Sequence, residues 1–160
     1  MSAGRKPHDM GVLFDELADR GNATTAHLDR PFDIAPDAGV DHDLPALAAL
    51  VSTAAAWLSC AGARRGDRVA IVKPNHWDYD LLACAAVRIG AVPAKLSGHL
   101  APESLAVLLA RLDPAVLVTT AGVLAAGRDE GIDLTALRDR KSGSAGMPRP
   151  NDLSRMPSSA

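Results

Sequence analysis

Residues 66–96, GDRVAIVKPNHWDYDLLACAAVRIGAVPAKL, decide the fold of this chain. After a glycine turn, the apolar run RVAIVK at residues 68–73 is typical of a strand buried on both faces of a parallel sheet. A proline ends this strand, and Asn75 is predicted to cap the helix that follows. Gly90 is predicted to end the helix, and residues 91–96 return as a second strand. The stretch therefore predicts one βαβ unit with a right-handed crossover.

Within this unit, the helix shows apolar residues at helical spacing, which predicts that one side faces a core. These residues are Trp77, Leu81, Leu82, Ala85, Ala86 and Ile89. Asp78 lies near the positive end of the helix dipole, where a carboxylate is stabilised. Pro93 removes one hydrogen-bond donor from the second strand, which predicts an edge position or a bulge there.

Upstream of the unit, the pattern predicts a short helix over residues 9–20, a short strand over 23–28 and a loop over 29–43. A long alanine-rich helix follows over residues 44–61. Its apolar stripe predicts packing on a core along one side. The stripe consists of Leu47, Leu50, Val51, Ala54, Leu58 and Ala61. The charged triplet Asp41-His42-Asp43 in the loop is interpreted as a solvated group rather than a ligand set.

Downstream, Pro102 and Glu103 suit the first turn of another helix. Its buried stripe is predicted to be Leu105, Leu108, Leu109 and Leu112. A third buried strand is predicted over residues 115–119, followed by weaker helices over 121–128 and 134–140.

The order of these elements predicts the α/β class, as a partial doubly wound and mostly parallel sheet of three to four strands with helices on both faces. We predict a flexible N-terminus over residues 1–8 and an α/β subdomain over residues 9–140. In residues 141–160, ten of twenty residues are Ser, Pro or Gly, which predicts a disordered C-terminal tail.

Composition excludes several classes of function. A net charge of −2 over 160 residues gives no electrostatic basis for binding nucleic acid or an anionic membrane. The uncharged stretch 44–63 has the length of a membrane span, but its one-sided stripe favours a core helix. The N-terminus shows no apolar leader, and the two cysteines, Cys60 and Cys84, are interpreted as reduced core residues, which predicts a cytoplasmic protein. The five histidines show no metal-ligand spacing, so no metal site is predicted.

Three phrases of the sequence, in this order, resemble a known family. The first is AGARRGDRVA at residues 61–70, which follows a helix. The second runs from PN at residues 74–75 to LLACAAVRIGAVP at residues 81–93. The third is PESL at residues 102–105, leading to LVT at residues 117–119. Together they resemble the N-terminal part of the adenylate-forming superfamily of AMP-dependent synthetases and ligases, closest to the acyl- and aryl-CoA synthetases.

The resemblance implies an ATP-dependent ligase that makes an acyl-adenylate and passes the acyl group to a thiol, commonly coenzyme A. The family uses ATP, Mg and CoA, and the residues that act on them lie mostly beyond the stretch that resembles this chain. We therefore expect a truncated N-terminal region of an acid–CoA ligase, with no catalytic residue and no cofactor of its own.

Two parts of the tail resemble the family's phosphate loop, and both cannot be right. The string SGSAGMPR at residues 142–149 resembles the loop pattern S-G-T-T-G-x-P-K, with both threonines and the lysine altered. Its candidate phosphate-binding residues are Ser142, Gly143, Ser144, Gly146 and Arg149. Residues 152–159, DLSRMPSS, resemble instead the lead-in to that loop, which fits a chain cut just before its phosphate site.

Two further interpretations remain open from the sequence. The chain could be a stand-alone binding or assembly module that uses the exposed edge of an incomplete sheet. It could also be one half of a split adenylating enzyme, with the missing ligase portion as its partner. The acid substrate and the acceptor thiol are not determined by these residues.

Overall fold

The structure is a computed structural model of the chain, and it describes residues 9–21 and 23–135. Two short 3-10 helices, Met10–Val12 and Pro36–Ala38, accompany five α-helices and five strands in the described residues. In chain order these are α1 (Leu13–Asp19), β1 (Thr25–His27), β2 (Asp41–Asp43), α2 (Leu44–Cys60), β3 (Arg68–Lys73), α3 (Asp78–Arg88), β4 (Val92–Ser97), α4 (Pro102–Leu112), β5 (Val116–Thr119) and α5 (Ala121–Asp129).

The main sheet has three parallel strands in the order β4–β3–β5, with β3 in the centre. Arg68 pairs with Val92 at the start of β4, and Val69 pairs with Val116 at the start of β5. This arrangement confirms the predicted α/β class, the βαβ unit and the edge position of the strand that contains Pro93. A separate antiparallel pair joins β1 to β2.

The strand β2 corrects the prediction of an uninterrupted loop over residues 29–43. His42, in the middle of β2, is buried with only 3% exposure, so the interpretation of its triplet as solvated is wrong for this residue. The His42 ring packs against Phe32 with centroids 4.9 Å apart, and its Nε2 lies 3.1 Å from the carbonyl oxygen of Gly39. Packing under the loop, rather than strand propensity, accounts for the burial of this histidine.

The two faces of the sheet carry separate cores because side chains of β3 alternate between them. Val69 and Ile71 enter the larger core, which α2 and α3 cover. Ala70 and Val72 enter a smaller core with residues of α4 and α5. The members of the smaller core are Ala70, Val72, Leu105, Leu109, Val123 and Leu134. In α4, Leu108 is 37% exposed and does not belong to the buried stripe predicted for it.

The start of α3 differs from the prediction. The helix begins at Asp78, its N-cap position is Trp77, and no side chain caps it, so Asn75 is not the cap. Trp77 is 44% exposed and does not face the core. The physical reason is Lys73: its ammonium attracts the Asp78 carboxylate into the interior, which sets where the helix starts.

On the larger core, Arg88 at the end of α3 holds the N-terminal segment in place. Its guanidinium donates to the carbonyl oxygen of Gly11 at 2.6 Å, to the Ser52 hydroxyl and to the Asp15 carboxylate. Gly11 permits this approach because a Cβ at that position would lie 2.7 Å from the Cα of Arg88. One side chain thus joins α1, α2 and α3.

The described residues contain no helix that is both long enough and apolar enough to cross a membrane. Leu134 and Thr135 lie after α5 and outside any helix. The predictions of a flexible N-terminus over residues 1–8, of a disordered tail over residues 141–160 and of a helix beyond residue 135 concern residues outside the described ones.

Candidate functional site

A buried ionic cluster lies at the carboxyl end of the central strand β3. Lys73, the last residue of β3, is only 4% exposed, and its Nζ lies 2.8 Å from Oδ2 of Asp78 and 2.7 Å from Oδ2 of Asp33. Asp78 is fully buried, whereas the Asp33 side chain is 49% exposed. Burying a charged group costs free energy unless it is paired and hydrogen-bonded, and the two carboxylates supply that pairing.

The two carboxylates have different surroundings. A hydrogen bond from the Lys73 ammonium, opposed in part by burial, lowers the pKa of Asp33 below its usual value of 3.8. In Asp78, Oδ2 receives the ammonium, while Oδ1 is buried and has no hydrogen-bond partner among the described residues. An unsatisfied buried oxygen of a charged group is costly, so its position depends on Lys73.

His76 extends the cluster to the loop before α2. Its side chain is 3% exposed, and its Nδ1 lies 3.3 Å from Oδ2 of Asp78. The Nε2 atom lies 3.2 Å from the carbonyl oxygen of Arg30, and since a carbonyl only accepts, Nε2 must donate in this bond. The Phe32 ring meets the His76 ring edge-on at 5.7 Å. The cluster therefore fixes the loop that carries Arg30, Phe32 and Asp33 to the end of β3.

A polar cavity of about 360 Å³ adjoins this cluster, between the carboxyl ends of β3 and β4. It is lined by Asn75, Tyr79, Asp80, Lys95, Leu96 and Ser97. Lys95 and Asp80 form an ion pair of 2.9 Å at its wall, and the Lys95 ammonium lies 6.0 Å from the centroid of the Tyr79 ring. The helices after β3 and β4 pack on opposite faces of the sheet. Two neighbouring parallel strands whose following helices lie on opposite faces leave a crevice at their carboxyl ends. Open α/β sheets commonly bind ligands in such a crevice.

Tyr79, which lies between cluster and cavity, joins the two strands. Its hydroxyl lies within hydrogen-bond distance of the backbone oxygens of Lys73 and Leu96, and its single proton is donated to one of them at a time. The turn after β4 is also close, because a Cβ on Gly98 would lie 2.8 Å from the carbonyl carbon of Lys73. The cavity floor is therefore held by backbone contacts as well as by side chains.

The residues at this end of the sheet do not fit a triphosphate. Phosphate sites use glycines that let backbone N–H groups approach the anion at a helix N-terminus. The turn between β3 and α3 has the sequence PNHW without glycine, and the helix start holds the buried Asp78 carboxylate. The Lys73 Nζ atom is already engaged by the carboxylates of Asp33 and Asp78, so it is not available to contact a phosphate.

The other candidate residues from the sequence have the following places. The residues Ser142, Gly143, Ser144, Gly146 and Arg149, and the alternative loop lead-in at 152–159, lie outside the described residues.

Cys84 is buried in α3, and burial raises the pKa of its thiol, so it remains protonated at neutral pH. Cys60 is exposed, so its interpretation as a core residue is wrong. Among the described residues, no group of three or more His, Cys, Asp or Glu could hold a metal ion.

Sequence reasoning missed the ionic cluster. It treated Lys73 only as the last residue of the strand over residues 68–73, and Asp78 as a partner of the helix dipole. The available signal was local: a lysine at the inward-facing end of an apolar strand, followed five residues later by an aspartate at a helix start. Asp33 lies 45 residues before Asp78, and no spacing pattern in the sequence connects them.

Comparisons with known proteins agree with this fold. The profile of the family described as AMP-binding enzyme matches residues 22–153. Among curated proteins, the 3-amino-2-hydroxy-4-methoxybenzoate diazotase of Streptomyces cremeus is 42% identical over 116 residues, which is 72% of this chain and 21% of that protein. The chain thus spans about a fifth of the length of the curated relatives it matches.

Solved structures show the same fold at lower identity. A fatty acyl CoA synthetase of Mycobacterium tuberculosis has a TM-score of 0.63 at 24% identity, over 75% of this chain and 23% of the other. The N-terminal domain of FACL13 from the same organism has a TM-score of 0.64 at 23% identity, over 91% of this chain and 38% of the other. Since the family profile matches well over half of the chain, the chain belongs to the AMP-binding enzyme family. It corresponds to the N-terminal region of the proteins in that family.

Proposed function

We propose that residues 9–135 are the scaffold of an ATP-dependent, adenylate-forming acid–thiol ligase and carry no adenylation chemistry of their own. The family match over residues 22–153 is the observation that carries this proposal. In the reaction implied by the family, a carboxylate displaces pyrophosphate from ATP, and the acyl group then moves from AMP to a thiol. This region contributes to that reaction by shape and by binding surface.

The geometry at the carboxyl end of the sheet is consistent with a scaffold role. The ion pairs of Lys73 with Asp78 and Asp33 hold a loop against the sheet, and the adjoining cavity presents Lys95, Asp80 and polar groups to solvent. With Lys73 engaged by two carboxylates and no glycine in the turn after β3, the described residues at the carboxyl end of β3 include no free group that would neutralise the charge developing on a phosphoryl group. We therefore assign ATP and CoA binding to parts of the enzyme outside residues 9–135.

The test is ATP–pyrophosphate exchange with a panel of fatty, aryl and amino acids. We expect the purified 160-residue chain to show no exchange above a no-enzyme control. We expect exchange to appear when the chain is mixed with the Streptomyces cremeus diazotase from which the segment matching this chain has been deleted, here called the complement. Exchange by the chain alone would overturn the non-catalytic part. An inactive mixture in which the two chains bind each other would overturn the scaffold role.

A second candidate function rests on the 42% identity to the diazotase. The enzyme built on this scaffold would then act on the amino group of an aminohydroxybenzoate rather than on a thiol acceptor. Converting an arylamine to its diazo form adds a second nitrogen, which nitrite supplies with loss of water. The enzyme that contains this chain, purified from its own host through a tag on the chain and given 3-amino-2-hydroxy-4-methoxybenzoate, ATP, nitrite and CoA, distinguishes the two. A diazo product without thioester favours the diazotase, and a CoA thioester favours the ligase.

A further inference from the structure

The polar cavity at the carboxyl ends of β3 and β4 carries two opposite charges side by side. Its lining contains one cation, Lys95, and one anion, Asp80, whose Nζ and Oδ1 atoms lie 2.9 Å apart. The other lining residues carry no formal charge at neutral pH; they are Asn75, Tyr79, Leu96 and Ser97. The charges of the lining therefore sum to zero, which favours a ligand that carries both charges over a simple anion or a simple cation.

The ion pair in this cavity is open to exchange with a ligand. The side chains of Lys95 and Asp80 are 46% and 58% exposed, and ion pairs as exposed as this one contribute little because water and salt screen them. An ammonium has three N–H donors and a carboxylate has two acceptor oxygens, so each group keeps hydrogen-bonding capacity beyond the one contact between Nζ and Oδ1. A ligand can therefore bind both groups at small cost.

An aromatic ring fixed in position lies beside the two charges. Tyr79 packs against the larger core, and its hydroxyl is held at the backbone oxygens of Lys73 and Leu96. The same residue lines the cavity, with the Lys95 ammonium 6.0 Å from the centroid of its ring. The cavity volume of about 360 Å³ lies at the lower end of the range for small-molecule sites. The cavity therefore has room for a small ligand with a ring next to its charged groups.

We propose that this cavity binds a small aromatic zwitterion, namely an α-amino acid with an aromatic side chain. Its carboxylate accepts hydrogen bonds from the Lys95 ammonium, its ammonium donates to the Asp80 carboxylate, and its ring packs against the Tyr79 ring. A single carbon separates the two charged groups of an α-amino acid, which suits two protein charges that are themselves in contact. This inference goes beyond the proposed function, because it holds whichever acid the complete enzyme activates.

Ligands with a single kind of charge fit this lining less well. A carboxylate or a phosphate that binds Lys95 displaces Asp80 and remains next to it, so the two anions repel each other. An amine that binds Asp80 repels Lys95 for the same reason. Among the described residues, no group of three or more His, Cys, Asp or Glu could hold a metal ion, so Asp80 does not belong to a metal site there. The zwitterion avoids both repulsions.

The experiment titrates the full 160-residue chain with three matched probes and follows its amide signals by NMR. The probes are L-phenylalanine, 3-phenylpropionate, which lacks the ammonium, and 2-phenylethylamine, which lacks the carboxylate. We expect L-phenylalanine to bind with a dissociation constant of about 1 mM or lower, at least about tenfold tighter than either other probe. The signals of Asp80, Lys95 and Ser97 should shift, and the ring protons of the ligand should show contacts to the Tyr79 ring.

Two variants should change the ligand preference in opposite directions. Asp80→Asn should weaken L-phenylalanine about tenfold and strengthen 3-phenylpropionate, because Lys95 loses its anionic neighbour. Lys95→Gln should also weaken L-phenylalanine but strengthen 2-phenylethylamine, because Asp80 is then free. Glu16→Gln is the matched control: it removes another exposed ion pair, with Arg20 at the end of α1, and should leave the binding of all three probes unchanged. Thermal unfolding of each variant should stay close to that of the parent chain.

Each outcome decides the inference. A preference for L-phenylalanine, with signal shifts at the cavity and opposite changes of preference in Asp80→Asn and Lys95→Gln, supports it. The absence of saturable shifts up to about 10 mM ligand, equal affinity for the three probes, or shifts confined to other parts of the chain would overturn it. Weakening of all three probes in both variants would also overturn it, because the two charges would then only maintain the shape of the cavity.

Discussion

The two faces of the sheet differ in how completely they are covered. On one face, α2 and α3 bury a large core, Arg88 joins three helices, and Lys73 ties a loop to the end of β3. On the other face, α4 and α5 cover a small core next to an apolar groove. The central strand β3 contributes side chains to the cores on both faces. The difference between the faces therefore lies in the helices and loops that pack on each of them. The face covered by α2 and α3 therefore contributes most of the buried core, and the face covered by α4 and α5 contributes less.

The largest expected effect concerns the ionic cluster at the end of β3. Lys73→Met leaves the buried Asp78 carboxylate without a cation and should lower the free energy of unfolding by about 3–5 kcal/mol. Asp33→Asn is the matched control, because Asp33 binds the same ammonium from a half-exposed position and should cost at most about 1 kcal/mol. Urea unfolding of both variants measures the difference. Equal losses of unfolding free energy in Lys73→Met and Asp33→Asn would show that the burial of Asp78 does not determine how strongly the cluster stabilises the fold.

A second pair of variants compares the two cores directly. Leu81 and Leu109 are both 1% exposed, on the larger and the smaller core respectively. Leu81→Ala should lower the free energy of unfolding by about 3–4 kcal/mol, because the surrounding helices cannot close the cavity. Leu109→Ala should cost about 2–3 kcal/mol, because the adjoining groove lets the site relax. A larger loss for Leu109→Ala would contradict the ranking of the two faces.

Two glycines test how closely each face is packed. Gly11→Ala places a Cβ against the backbone of Arg88 and should lower the free energy of unfolding by about 1–3 kcal/mol. In α5, a Cβ on Gly122 would meet only the Thr120 hydroxyl oxygen, at 3.9 Å. Gly122→Ala should therefore raise the free energy of unfolding by about 0.5–1 kcal/mol through helix propensity. Thermal melts that rank the two variants in the opposite order would refute this picture of the packing.

The smallest expected effect is a dependence on acid. Because Lys73 lowers the pKa of Asp33 in the folded chain, the ion pair contributes stability above pH 3.8 that is lost as pH falls through the lower folded value. Solvent screens this half-exposed pair, so the change is small. We expect the free energy of unfolding of Asp33→Asn to fall less than that of the parent chain below about pH 4. If the unfolding free energies of the parent chain and of Asp33→Asn fell in parallel with pH, the lowered pKa assigned to Asp33 would be contradicted.

Local signals were enough to predict the elements that form the sheet. The apolar run of β3, the glycine stop after α3 and the proline at the start of α4 each act within a few residues, and the structure follows them. Strand β2 could not be predicted in this way. Its sequence, DHD, has little strand propensity, and it forms because β1 pairs with it and Phe32 packs on His42.

The candidate site was harder to predict than the fold because its contacts are not local. Lys73 and Asp78 are close in sequence, but only the folded loop brings Asp33 to the same ammonium. The sequence shows Pro93, but the direction of its backbone nitrogen follows from the pairing register.

Native-state hydrogen exchange of the free 160-residue chain in low concentrations of denaturant separates the two faces of the sheet by their opening free energies. We expect amides of α2, α3 and β3 to exchange only through global unfolding, while those of α4, β5 and α5 exchange through an opening of lower free energy. Equal opening free energies for α3 and α5 would contradict this difference, because the sheet would then be equally complete on both faces.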